Sequence, residues 1–383
     1  MKFTCDSDEF KTGISVVEKA ISSRPSMPIL DNIYFELGNE QLCLRGNDLE
    51  IGIEQVIPIS NVESTGKVLL KAKTISHIVS KMNKQTVCFS AIDGSVNIKS
   101  EQADFDLLGL APDDYPVFPD VQDGVDVQLS VGDIKDLIKH TLSSVSTDDT
   151  KQFLNGILMK SEADKIFFIA TDGYRLSLKT QNMVPVEQGF SVIAPSKAVS
   201  ELYKIIQNIE ESQPVKMTIS ERQISFKVGQ FLLVSRVIQG QFPDYQQVVP
   251  KETQYKFSIS RRALLDACDR ASIIAASANQ VVRLQFEQDK MRLMASATGL
   301  GDFKEELNIQ RLSGEGNINV AFNVKLILDA IKILDADEVT LSFSSELSPC
   351  KLEVVDDEMY LYIIMPIRTS DFQGGDDAPA SGN

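Results

Sequence analysis

The sequence predicts an α+β chain made of three copies of one unit, each with two helices packed on antiparallel sheet. Three observations carry this reading. One helical stripe of apolar residues occurs three times, a second, different stripe occurs three times between them, and a polar turn between alternating strands recurs in the same order.

The first helix is predicted over residues 7–21, where Phe10, Ile14, Val17 and Ile21 fall on one face. The stripe returns over 131–145 with Ile134, Leu137, Ile138, Leu142 and Val145, and over 260–274 with Leu264, Leu265, Cys268 and Ile273. With Asp8, Asp133 and Arg261 as equivalent starts, the copies are 125 and 128 residues apart. The second helix is predicted over 72–82 (Ile75, Ile78, Val79, Met82), 195–206 (Val199, Leu202, Ile205, Ile206) and 323–334 (Leu326, Ile327, Ala330, Ile331, Leu334). The turn is Asn47-Asp48-Leu49-Glu50 in the first copy, Thr171-Asp172-Gly173 in the second and Ala297-Thr298-Gly299 in the third. In the second copy it joins Ile166-Phe167-Phe168-Ile169 to Leu176-Ser177-Leu178, and Asp-Gly between such runs is a hairpin signal because both central residues accept φ > 0. Short alternating strands such as 95–99 and 222–228 lie between the helices.

The predicted boundaries follow from proline-rich punctuation. Asp113-Asp114-Tyr115-Pro116-Val117-Phe118-Pro119 closes the first unit, and Gly240-Gln241-Phe242-Pro243-Asp244-Tyr245 closes the second. The units are read as 1–122, 126–250 and 254–369, and the Gly-, Asp-, Ala- and Ser-rich end, 370–383, as a disordered tail. A chain of 383 residues exceeds one ordinary core, which agrees with several domains.

Composition narrows the function. Apolar residues make up 43% and charged residues 24%, as in a globular protein in solution, and no apolar run reaches membrane-spanning length. The start, Met1-Lys2-Phe3-Thr4-Cys5-Asp6, lacks the apolar core of a secretory signal, so a cytoplasmic protein is expected. The five cysteines are widely spaced, with no C-x-x-C, and read as buried small hydrophobes in a reducing compartment. Only two histidines occur, His77 and His140, and no zinc-protease, phosphate-loop, dinucleotide or nucleophile-elbow motif is present. The acidic groups Asp148-Asp149 and Asp356-Asp357-Glu358 lie between predicted elements and read as solvated turns. No catalytic residue, cofactor or metal is expected.

The net charge is −16, which by itself argues against nucleic acid. The predicted helices nevertheless carry lysines at helical spacing. Lys197 and Lys204 are seven residues apart, as are Lys325 and Lys332; Lys135 and Lys139 are four apart, and Lys73 and Lys81 eight. Arg261, Arg262 and Arg270 fall on the third copy of the first helix. For one helix, a solvated outer face explains such lysines. Recurrence in all three copies points instead to one common basic face.

Taken together, three α+β copies, acidic bulk and basic helices resemble the bacterial replicative sliding clamps, the DNA polymerase III beta subunit family, over about residues 1 to 368. The resemblance rests on Arg24-Pro25 with Pro28-Ile29-Leu30, Leu154-Asn155-Gly156, Ala170-Thr171-Asp172-Gly173 with Arg175-Leu176, Phe242-Pro243-Asp244-Tyr245 and Met365-Pro366-Ile367-Arg368. It implies a head-to-tail homodimer whose two three-domain protomers form a six-domain ring around duplex DNA, bound without regard to sequence. Arg24, Lys73, Lys135, Lys139, Lys197, Lys204, Lys325 and Lys332 would face the DNA. The implied partners are the polymerase III alpha subunit, the clamp loader and other polymerases or repair proteins, bound through short peptides. Their cleft would be formed by Leu154, Thr171, Gly173, Tyr174, Arg175, Leu176, Pro243, Val248, Leu347, Ile363, Met365, Pro366, Ile367 and Arg368, with Arg175 at its rim. Phe105 and Leu107 against Ile273 and Ile274 would form the protomer interface. Tyr174 stands where the family frequently has histidine, and Gln246-Gln247 where some members have a basic pair. Two rivals stay open at this stage: a three-repeat protein-binding scaffold that never encircles DNA, and a hydrolase built on the scattered carboxylates.

Overall fold

The computed structural model describes residues 1–59, 61–82, 86–101, 103–354 and 357–369. The predicted tail, 370–383, and Asp356 lie outside them. Six α-helices occur among the described residues: α1 (Ser7–Val17), α2 (Ala72–Ser80), α3 (Val131–Thr141), α4 (Ser196–Ile206), α5 (Arg261–Ala275) and α6 (Val324–Ile333). They fall where the two stripes recur. The first two copies of the first helix end a turn earlier than predicted and tighten into 3₁₀ turns, Glu18–Ala20 and Leu142–Ser144.

Side chains set the helix starts. Asp6 accepts from the amides of Asp8 (2.8 Å) and Glu9 (3.2 Å) ahead of α1, and Asn323 accepts from Lys325 N (2.9 Å) ahead of α6. At α3 a reciprocal box forms, with Ser130 N donating to Asp133 Oδ2 (3.0 Å) and Asp133 N to Ser130 Oγ (3.1 Å). The stripes are buried as expected: Phe10, Ile14, Val17, Ile134, Leu137, Ile138, Leu264 and Cys268 are solvent-inaccessible. Ile273 departs from its stripe, being 70% exposed.

The chain divides into two compact units. One comprises Met1–Ile138, Leu158–Ile166 and Asn182–Gly240, the other Lys139–Ile157, Phe167–Gln181 and the described residues from Gln241 on. In the first, a five-stranded antiparallel sheet runs in the order 61–64, 2–6, 86–92, 95–99, 104–108, so 104–108 is an edge. An eight-stranded sheet runs 125–130, 214–219, 223–228, 231–236, 51–58, 41–47, 32–37, 66–71. It joins the first copy to the second where Phe231–Arg236 pairs with Ile51–Pro58, Leu233 opposite Ile53. Helix α1 packs so closely here that a Cβ on Gly46 would lie 2.3 Å from the Val17 carbonyl oxygen, which is why a glycine occupies that strand position.

The second unit repeats the device. Its strands run 175–182, 360–364, 350–354, 338–343, 255–260, 301–313, 290–297, 281–286, 318–323. The second copy meets the third where Arg175–Asn182 pairs with Tyr360–Ile364. The cores of the first and third copies share an aromatic trio: Phe3, Phe35 and Phe89 stack in one, with Phe3 and Phe89 centroids 5.0 Å apart. Phe257, Phe286 and Phe343 pack in the other, with Phe257 and Phe286 centroids 4.5 Å apart.

All five cysteines are free thiols, but two correct the buried reading: Cys88 is exposed and Cys43 half-buried. Burial pushes the thiols of Cys5, Cys43, Cys268 and Cys350 up to about 12.

Candidate functional site

The two stretches expected to meet do meet, inside the second unit. The turn Asp172-Gly173-Tyr174 follows the strand Lys165–Thr171, and only Gly173 takes a positive φ, 92°. The loop is therefore three residues closed by the Asp172 side chain, not the two-residue turn with both residues at φ > 0 that the sequence predicts. Asp172 Oδ1 accepts from Tyr174 N (2.9 Å) and Arg175 N (3.0 Å). Beyond the turn, Leu176 lies opposite Ile363 and Arg175 opposite Ile364, and Met365 N donates to the Tyr174 carbonyl at 2.8 Å. Pro366 lacks a backbone donor and ends the ladder. Ile367 N donates instead to the Ala321 carbonyl at 2.8 Å, turning the segment onto the strand before α6.

Exposure sorts the predicted cleft residues into three kinds. Tyr174 (70% exposed), Leu347 (52%), Val248 (38%), Gly173, Pro243 and Arg368 are open to solvent, while Thr171, Met365, Pro366 and Ile367 are half-buried. Leu154, Leu176 and Ile363 are buried. Residues Gln246, Gln247 and Val248 line a concavity with Ser344, Ser348 and Pro349.

Arg175 corrects the rim expectation: it is only 9% exposed. Its Nε donates to Asp172 Oδ2 (3.0 Å), and one terminal nitrogen donates to Asp329 Oδ2 of α6 (2.7 Å) and to the Tyr362 hydroxyl (3.3 Å). Burial pulls the guanidinium pKa down, but Tyr362, Asp329 and Asp172 together outweigh it and the value is raised. Tyr362 passes the chain on, its hydroxyl donating to the Leu326 carbonyl at 3.1 Å, and burial holds the phenol up at about 12. Sequence reasoning missed Asp172, Asp329 and Tyr362. Asp329 carries no distinguishing mark on a helix that also bears Lys325 and Lys332, but Asp172 stands in the turn the sequence singles out.

The lysines also divide. Arg24, Lys73, Lys139 and Lys325 are exposed and form no ion pair among the described residues. Lys197 pairs with Asp48, Lys204 with Glu201 (2.7 Å) and Lys332 with Asp269 of α5 (3.2 Å). Lys135 does not project outward: its ammonium donates to the carbonyls of Gln207 (3.1 Å) and Ile209 (3.0 Å), satisfying the end of α4. Arg261 does the same for α6, with Nε 2.7 Å from the Ala336 carbonyl oxygen. Arg270 forms a two-pronged bridge to Glu305 at 2.8 and 2.6 Å.

The predicted interface residues fall in different units. Phe105 and Leu107 are half-buried on the edge strand, opposite the buried Ile98 and Val96. Ile273 projects from the last turn of α5, and Ile274 is half-buried against the core of the second unit. Asp104 and Asp106 flank Phe105 and accept from Asn97 Nδ2 at 2.6 and 2.9 Å. No cluster of three metal-ligating side chains occurs among the described residues, and His140 is buried against the Tyr360 ring, centroids 4.8 Å apart. Among these residues, no helix is long and apolar enough to cross a membrane.

Comparison with known proteins identifies the family and the fold. Family models for the DNA polymerase III beta subunit match the N-terminal domain at residues 1–119, the central domain at 128–244 and the C-terminal domain at 246–368. The beta sliding clamp of Staphylococcus aureus is 33% identical over 378 residues, covering 96% of this chain and all of that protein. That of Bacillus subtilis is 31% identical over 380 residues, with the same coverage. The crystal structure of the DNA polymerase sliding clamp from Bacillus subtilis superposes with a TM-score of 0.92 at 30% identity, covering 96% of this chain and 99% of that one. With three domain models matched in order and relatives aligned from end to end, the chain belongs to the DNA polymerase III beta subunit family, the bacterial sliding clamps.

Proposed function

We propose that two copies of this chain join head to tail into a closed ring around duplex DNA, and that the ring tethers the replicative polymerase without taking part in catalysis. A heterologous contact made twice closes when each protomer turns the ring by half a revolution. The observation that carries the proposal is the recurrence of lysine-bearing helices in a chain of net charge −16. Exposed Lys73, Lys139 and Lys325, with Arg24, supply an inner surface that attracts phosphates without reading bases, and the acidic remainder discourages DNA from the outside. Three DNA-facing lysines contribute less than their number suggests, because Lys197, Lys204 and Lys332 are already paired with carboxylates.

The polymerase III alpha subunit, the clamp loader and other polymerases or repair proteins dock through short peptides at the meeting of 171–176 and 363–368. Tyr174, Pro243, Val248, Leu347, Met365, Pro366 and Ile367 supply the contact surface, and Leu154, Leu176 and Ile363 support it. Apolar walls with an adaptable methionine suit one site that serves several partners. Extension of a primed single-stranded circle by a bacterial replicative polymerase with its loader tests the reading. With an excess of competitor template, products should lengthen by an order of magnitude or more when this protein is added. Unchanged product length would overturn the proposal.

A further inference from the structure

The turn at the cleft is held differently from its two counterparts. In the first copy, Asn47 Oδ1 accepts from Leu49 N (2.7 Å) and Asp48 Oδ1 from Ile51 N (2.8 Å), and Ile51 begins the next strand. In the third copy, Leu300 N donates to the Ala297 carbonyl (3.0 Å), and Gly301 begins the strand. Neither hairpin has an arginine at the position of Arg175. Closing the hairpin therefore does not require one, yet here it is buried with three partners outside its own strand.

The first two turns are also each tied to a helix of the following copy, with the charges reversed. In the first copy the turn supplies the acid, Asp48, to Lys197 near the start of α4. In the second, the turn's acid is taken by Arg175, which hands the contact to Asp329 in the middle of α6. Lys325, which occupies in α6 the place Lys197 has in α4, is left without an ion pair among the described residues.

We infer that Asp329, acting through Arg175, is a positioning residue for peptide recognition at the proposed cleft. It sets where Tyr174 and Met365 stand without touching the peptide, an inference that rests on the cleft assignment above. The path is short. Asp329 holds the Arg175 guanidinium, which fixes Asp172. Asp172 fixes the amide of Tyr174, and the Tyr174 carbonyl receives Met365 N. Tyr362 braces the same guanidinium and is itself anchored on the α6 backbone. Loosening this chain leaves the surface residues in place chemically but lets the exposed Tyr174 ring wander, so binding must pay to order it.

The experiment is a double-mutant cycle in the full chain, Asp329→Asn with Tyr174→Ala. Affinity for a fluorescent short peptide with a glutamine and a leucine-phenylalanine pair, the pattern that the family resemblance implies, is read by anisotropy, with sedimentation and thermal melting in parallel. Asp329→Asn should weaken the peptide about tenfold in the wild-type background and under threefold in the Tyr174→Ala background, with the dimer unchanged. Arg175→Lys, which keeps the charge but loses the planar fork, should behave likewise and serves if Asp329→Asn melts below the assay temperature. Wild-type affinity in Asp329→Asn, or an equal loss in both backgrounds, would overturn the positioning role. A Tyr174→Ala protein that binds peptide normally would instead overturn the cleft assignment, and the inference with it.

Discussion

Replacing Ile273 with alanine isolates the proposed protomer contact from the fold. Ile273 is 70% exposed on the last turn of α5, so most of its surface is still available to be buried by a partner. Burying a whole isoleucine side chain is worth roughly 1.5–3 kcal/mol, so the uncovered part contributes about 1–2 kcal/mol at each contact. A ring of two makes the contact twice, for about 2–4 kcal/mol in all. At about 1.4 kcal/mol per tenfold, dimerisation should weaken by a factor of roughly thirty to several hundred. The other three residues are poorer probes. Phe105 and Leu107 stand opposite the solvent-inaccessible Ile98 and Val96, and Ile274 packs on the core of its own unit, so alanine there also costs folding stability. Sedimentation velocity over a concentration series reads the dissociation constant, and thermal melting of the dilute protomer reads the fold. A large shift is expected in the first and almost none in the second. An unchanged dissociation constant would place the contact elsewhere.

Three further outcomes follow. Leu176→Ala removes a side chain 2% exposed and should destabilise the chain by about 2–5 kcal/mol, whereas half-buried Met365→Ala should lower peptide affinity about tenfold with little change in melting; the reverse pattern would exchange their roles. The hydrogen bond from Arg270 outweighs burial and holds the Glu305 carboxyl below its ordinary value, so the bridge stabilises the fold above the glutamate's unfolded pKa and is lost as pH falls through the lower folded value. The melting deficit of Glu305→Gln should therefore be present at neutral pH and shrink below about pH 4, and a deficit that grows in acid would contradict this sign. Thiol labelling of the native protein near neutral pH should modify Cys88 ahead of Cys5, Cys43, Cys268 and Cys350, whose thiols lie near 12; preferential labelling of Cys268 or Cys350 would contradict the burial pattern.

The helices were legible because each buries a stripe, and a stripe is a local pattern. Phe10, Ile14 and Val17 announce α1 without reference to the rest of the chain. The joins between copies were not legible in the same way. The pairing of Leu176 with Ile363 spans most of two copies, and no spacing in the sequence encodes that register. Only the resemblance brought those stretches together in advance. Arg175 was misplaced because a charged residue in a turn is ordinarily solvated, and burial here depends on Asp329, far along the chain. Cys88 could have been placed correctly. Val87 and Phe89 are both buried, and strand alternation puts the residue between them on the opposite face. The sequence places Ile273 both on the core stripe and at the interface, and its exposure decides for a surface position.

In the proposed ring, topology and not affinity keeps this protein on DNA. The direct measurement is gel filtration of the protein after loading onto a nicked circular plasmid, before and after the plasmid is linearised. Retention on the circle and release from the linear form are expected. Direct binding to a short linear duplex should be weak and fall steeply with salt, because each phosphate neutralised releases counterions. Equal retention on both forms, or tight, salt-insensitive binding to the linear duplex, would contradict an encircling ring.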